Sequence, residues 1–162
     1  MERLWSPWRN EYISATGSKD PTPDCVFCIA KADPSQDAGR FVVHRGSDNF
    51  VILNRYPYVS GHLMIVPYDH LAKLSEAPPS TANEMMALAQ RCELALREVY
   101  RPEGFNFGMN LGAAAGAGVA GHIHLHVLPR WGGDTNFMST VAETRVLPED
   151  LAMTYEKLRG RI

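Results

Sequence analysis

The stretch Gly121–Trp131, GHIHLHVLPRW, holds three of the chain's six histidines within five residues: His122, His124 and His126. Ile123, Leu125 and Val127 alternate with them, and Leu128 follows. Alternation with a period of two is the mark of a strand, whose successive side chains point to opposite faces. The spacing predicts a row of imidazoles on one face, at intervals of roughly 7 Å. The aliphatic residues share the other face and can join a core. A solvated polar face would account for one lone histidine. Three in alternation on a rigid element suit two kinds of site. One is a metal site, since neutral imidazole is a common ligand. The other is a covalent site, in which one imidazole attacks an electrophile and its neighbours orient it.

Just upstream lies GAAAGAGVAG, Gly112–Gly121. Gly116, Gly118 and Gly121 let the backbone approach an anion closely and turn its N–H groups inward, as phosphate-binding nests do. Beside a histidine row, this loop points to phosphate. Before it, Phe105 to Leu111 alternates as a strand. Further upstream, Phe41–Val43 and Asn49–Leu53 read as strands parted by the turn residues Arg45–Asp48, and His62–Val66 as a third strand stopped by Pro67. Thr81 and Glu84 form a T-x-x-E capping box, with Pro78-Pro79 excluding earlier helix. Met85, Leu88, Ala89, Cys92, Leu96 and Val99 then recur at helical spacing, which makes Cys92 a core thiol, and Pro102 ends the helix. Pro148-Glu149-Asp150 opens a short C-terminal helix. The pattern predicts an α+β fold: an antiparallel sheet with one long helix and a short C-terminal helix. No repeat or linker divides the chain, so residues 1–162 read as one domain, with 1–38 irregular around a C-x-x-C.

A length of 162 residues suits that reading. A net charge of −2 gives no global basic field for nucleic acid or anionic lipid, so any phosphate site must be built locally. The N-terminus MERLWSPWRN lacks the apolar run of a signal peptide, and no segment is suited to span a membrane. Cys25, Cys28 and Cys92 are an odd number of thiols without an export signal. Reduced cysteines are expected, in the cytoplasm. Cys25-Val26-Phe27-Cys28 is half of a metal site, and zinc needs two further ligands.

The run G-H-I-H-L-H-V-L-P-R resembles the signature of the histidine triad superfamily, His-φ-His-φ-His-φ-φ with φ apolar. The likeness extends over roughly residues 4 to 150. Leu53-Asn54-Arg55-Tyr56-Pro57 and Gly61–Pro67 resemble its earlier strand pair, and Asn110 its polar phosphate contact. Trp131, Gly133-Asp134, Asn136-Phe137 and the opening Leu4–Arg9 are similar to the bacterial branch of diadenosine tetraphosphate phosphorylases and hydrolases.

The resemblance implies a nucleotide-binding enzyme that breaks an α-phosphate linkage of a purine nucleotide or dinucleoside polyphosphate. His124 would attack the α-phosphorus and carry a nucleotidyl intermediate. His126 would orient it, and His122 would serve the leaving phosphate or a metal. Asn110 and the amides around Ala117, Gly118 and Val119 would hold phosphate oxygens. Many members carry Gln and a hydroxyl residue in this loop. Here Gly118 and Val119 stand there, so contacts must come mainly from backbone. Asn54 would hold the ribose, and Ile52 would line the base pocket. By the same likeness the zinc ligands would be Cys25, Cys28, His70 and His122, in a structural site, with His44 as a rival ligand. His62 would be a hydrogen-bonded histidine behind the triad. A homodimer is implied, pairing the long helix and an edge strand, with Met85, Met86 and Leu88 on the helix. Water as second acceptor makes a hydrolase and orthophosphate a phosphorylase. A nucleoside phosphoramidase and a nucleotide-binding regulatory protein remain alternatives.

Overall fold

The computed structural model describes residues 25–134 and 147–162. The matching stretches Leu4–Arg9 and Asn136-Phe137 lie outside them. Five strands form one antiparallel sheet: β1 (Val42–Arg45), β2 (Asn49–Leu53), β3 (Leu63–Pro67), β4 (Gly104–Gly108) and β5 (Leu125–Arg130), in the order β1-β2-β3-β5-β4. Helices α1 (Val26–Ala32) and α2 (Asp37–Arg40) precede β1. The long α3 (Pro79–Tyr100) follows β3, and α4 (Leu151–Leu158) closes the chain. The expected α+β architecture is therefore present. No described helix is long and apolar enough to cross a membrane.

The strand period of two sorts the sheet into two cores. Val51, Leu53, Leu63, Ile65, Leu125 and Val127 pack against α3 through Met85, Leu88, Ala89, Cys92 and Leu96, and against Tyr155 and Leu158 of α4. The helical stripe read from the sequence is thus buried, and Cys92 is wholly so; burial pushes its thiol up to about 12. On the opposite face Val42, Phe50, Ile52, Met64 and Val66 pack under Cys25, Phe27 and Ala30 of the α1 segment. His126 pairs with Met64 across β3–β5, which sets it on this second face.

Three expectations are corrected. Residues 26–40 are not irregular: α1, a 3-10 turn at Pro34–Gln36 and α2 occupy nearly all of them. The short α1 is held by distant side chains, since Arg45 donates to the carbonyls of Ala30 and Lys31 (3.1 Å each) and Arg40 to that of Ile29. The capping box does not form either, because α3 already starts at Pro79, with Pro78 as N-cap. Proline suits that first position, where no N–H is needed. Glu84 turns away to accept from the amides of Ser47 (2.7 Å), Asp48 and Asn49 (2.8 Å each), capping the β1–β2 turn. Thirdly, pairing in the histidine strand begins only at Leu125. Its partner β3 ends at Pro67, which has no N–H to offer the ladder. Ile123 N–H goes instead to the Leu71 carbonyl at 2.8 Å.

Candidate active site and metal centre

That early end to the ladder splits the histidine row. His124 and His126 stay together, with ring centroids 4.8 Å apart and edge to face. The ring on the other flank of His124 is Phe27 of α1, at 5.0 Å, where a second imidazole was expected. The His122 ring is directed to a separate cluster, 4.8 Å from that of His70.

Hydrogen-bond roles fix the protons. His124 Nδ1 lies 2.9 Å from the His122 carbonyl oxygen. A carbonyl only accepts, so Nδ1 carries the hydrogen and Nε2 keeps its lone pair. His124 is thus oriented by its own backbone, the task expected of His126. A second chain of roles runs behind it. His62 Nδ1 accepts from the Tyr58 amide at 3.2 Å, which leaves its Nε2–H to donate to His126 Nδ1 at 2.8 Å. His126 must then carry its hydrogen on Nε2. His62 is 1% exposed, as a histidine behind the triad should be. All three triad imidazoles are buried. Burial lowers His124, and it pushes His126, with help from His124, down to about 4. Both are neutral bases near pH 7.

The metal half-site closes as expected. One donor atom each from Cys25, Cys28, His70 and His122 lies within 4.8 Å of every other. Cys25 Sγ is 3.5 Å from His122 Nδ1, and Cys28 Sγ is 3.3 Å from His70 Nδ1 and 3.8 Å from His122 Nδ1. Metal–ligand bonds of about 2.0–2.3 Å in a tetrahedron put ligand atoms about 3.3–3.8 Å apart, so this donor set fits one ion. His122 Nε2 donates to the Pro67 carbonyl at 2.9 Å, which leaves Nδ1 unprotonated for a metal, the usual second-shell arrangement. Both His122 nitrogens are then committed, and the ring cannot also serve a leaving phosphate. His122 reaches the site through its carbonyl. The rival His44 is elsewhere, with Nε2 3.4 Å from Arg91 Nη1.

The remaining expected residues are less uniform. Asn110 Nδ2 lies 3.4 Å from the Gly116 carbonyl and ties the loop together. The Ala117 amide is used inside the loop, on the Gly112 carbonyl at 3.3 Å; the amides of Gly118 and Val119 are the ones left for an anion. Asn54 Oδ1 accepts from the Tyr56 amide at 2.9 Å, and Nδ2 sits 3.3 Å from His62 Nδ1. Its amide serves the loop and the relay in this structure. Ile52 is 7% exposed, beneath α1. Sequence reading passed over Phe27, Tyr58 and the Pro67 carbonyl. Only Phe27 had a signal, an aromatic residue inside the C-x-x-C.

A sheet carrying a buried, tautomer-fixed histidine pair beside a glycine-rich loop defines a histidine triad protein. The HIT domain family model matches residues 36–133, and the chain belongs to that family. It is 38% identical over 164 residues to the AP-4-A phosphorylase of Mycobacterium tuberculosis, covering 95% of this chain and 80% of that protein. A crystal structure of a Zn-bound histidine triad family protein from Mycobacterium smegmatis superposes with a TM-score of 0.67 at 34% identity, over 85% of this chain and 92% of that one. The Plasmodium falciparum diadenosine triphosphate hydrolase, solved in complex with Cyclomarin A, shares the fold at 15% identity and a TM-score of 0.59, over 74% and 71% of the two chains.

Proposed function

We propose that the chain is a nucleotidyl-transferring enzyme that opens dinucleoside polyphosphates of the diadenosine tetraphosphate kind through a covalent intermediate on His124. The observation that carries this is the 2.9 Å bond from His124 Nδ1 to the His122 carbonyl, which leaves Nε2 as the attacking atom. Nε2 bonds to an α-phosphorus while the P–O bond to the rest of the substrate breaks, and ATP departs with that electron pair. The Nε2–H of His126, set by His62, is available to a substrate phosphate oxygen beside His124. The amides of Gly118 and Val119 would meet the charge that builds on phosphorus. Water or orthophosphate then attacks the nucleotidyl-histidine, returning His124 and yielding AMP or ADP. The name of the mycobacterial relative supports orthophosphate as the acceptor.

Zinc is the metal we assign to Cys25, Cys28, His70 and His122, since a Cys₂His₂ donor set suits it. Its part is structural: it would pin α1, with Phe27, against the triad. A homodimer is proposed through α3 and the edge strand β4, where Met86 and Phe107 are exposed. Met85 and Leu88, also expected there, are core residues.

His124→Ala should lose turnover by at least about 10³-fold, about 4 kcal/mol in barrier, while nucleotide binding persists. Mass spectrometry of quenched wild-type enzyme should place the nucleotidyl group on His124. An adduct on another residue, or near-normal turnover by the variant, refutes the mechanism. Product analysis with orthophosphate should give ADP plus ATP; AMP plus ATP under that condition refutes the phosphorylase.

A further inference from the structure

The strand β4 reads Gly104-Phe105-Asn106-Phe107-Gly108. Phe105 packs toward the α3 core. Gly104, Asn106 and Gly108 lie on the other face, where they pair with Arg130, Leu128 and His126 of β5. That is the face of the histidines. A Cβ added to Gly104 or Gly108 would meet no described atom within 4 Å, and neither residue has a positive φ. Packing inside the fold therefore does not demand glycine at either place, and neither does backbone conformation. Glycine inside a strand costs about 0.5–1 kcal/mol relative to alanine. Two of them in one five-residue edge strand leave the sheet surface low along Gly108, Asn106 and Leu128, which makes a shallow trough beside the flanking side chains.

Along the trough lies a guanidinium already paired with one carboxylate, that of Arg130 with Asp134. Arg130 lies four residues along β5 from His126 on the same face, its Cα about 13 Å away, and its guanidinium reaches back to Asn106, the residue opposite Leu128. Nε and Nη2 of Arg130 donate to Asp134 (2.5 and 2.9 Å), and Nη1 donates to Asn106 (2.7 Å). These bonds hold the guanidinium rigidly and use three of its five N–H groups. Its side chain remains 45% exposed. A planar, preorganised guanidinium recognises phosphate by paired hydrogen bonds. Two residues along a strand is about 7 Å, more than a single phosphate spans and within the reach of a short polyphosphate.

Resting on the reading of His124 as nucleophile toward dinucleoside polyphosphates, we propose that this trough seats the leaving nucleoside polyphosphate and that Arg130 binds its distal phosphates. The site would thereby favour substrates with a long, charged leaving group over nucleotides with a small one.

The test compares kcat/KM for diadenosine tetraphosphate with that for adenosine 5′-phosphoramidate, whose leaving group is ammonia. Both are measured on the same sample of full-length protein, so the ratio is independent of the fraction folded. Arg130→Gln should lower the ratio at least about tenfold, mainly through KM, and Arg130→Lys should restore part of it. Asn106→Trp, which raises a wall midway along the trough, should lower it too. A ratio that neither Arg130→Gln nor Asn106→Trp moves overturns the proposal, as does an equal loss on both substrates. A wild-type protein that cleaves the phosphoramidate but not diadenosine tetraphosphate overturns the parent reading as well.

Discussion

His126 shows how far one hydrogen can be followed. It is placed on Nε2 because Nδ1 accepts from His62, whose own Nδ1 accepts from the Tyr58 amide. Remove His62 and nothing selects the tautomer of a buried, neutral imidazole. His62→Phe should keep the volume filled but lose the relay, and turnover should fall about 10²-fold, the contribution of a single positioned proton donor. Nitrogen-15 NMR of the wild type should find His126 Nδ1 without hydrogen, and in His62→Phe a mixture of tautomers. A wild-type His126 protonated on Nδ1 would sink the argument. The contrast with His122 is instructive. Sequence spacing could not tell three equivalent imidazoles from two plus a ligand. The difference comes from Pro67 ending the ladder of a neighbouring strand and offering its carbonyl to the His122 ring.

Elements with a local pattern were legible: the apolar runs of β2 and β3, the alternation in β5 and the Met85–Leu96 stripe of α3 are encoded in contiguous residues. The elements that failed depend on remote partners. Helix α1 is seven residues long, and three of its carbonyls are taken by Arg40 and Arg45. Glu84 looked like a helix cap, yet it is drawn to four donors of the β1–β2 turn, including Asn49 Nδ2 at 2.9 Å. Gly46 leaves room for it; a Cβ there would stand 2.8 Å from Glu84 Oε1. The metal ligands belong between these cases. The C-x-x-C is a local signal, whereas His70 and His122 join it only through the fold. Because Cys25 and Cys28 flank the first turn of α1, metal occupancy should control this element first. Chelation at neutral pH should release about one zinc per chain. Amide exchange should then quicken in residues 25–32, and hardly at all in β3 or β5, whose pairing does not use the metal. No metal in protein purified without chelator, or uniform quickening across the sheet, would refute the assignment.

Across the whole molecule, the fold holds imidazoles in places that exclude their charged form. Burial lowers His44 and His124, and His126 is pushed down to about 4. The unfolded chain binds these protons near pH 6.5. Between about pH 4 and 6.5 the unfolded state therefore carries a proton on His126 that the folded state refuses. Stability must rise with pH through that window and level off above it, because ∂ΔG/∂pH follows the excess of protons bound by the unfolded state. The sign is that of a depressed pKa: the contribution is complete above 6.5 and is lost as pH falls toward the folded value. A difference of this size on His126 alone corresponds to about 3 kcal/mol. Glu84 acts in the same direction at lower pH. Burial works to raise it, but hydrogen bonds from Asn49, Ser47 and Asp48 outweigh that and hold it low. The measurement is urea unfolding of chelator-treated protein at pH 7 and pH 5, so that metal loss is not the variable. The free energy should drop by about 1–3 kcal/mol between the two, and His126→Asn should flatten the slope while lowering activity. Equal stability at the two pH values would mean that these imidazoles take up protons in the folded state. Attack needs the free lone pair on His124 Nε2, and a titration held below the ordinary imidazole range keeps that lone pair available to lower pH than an exposed histidine could.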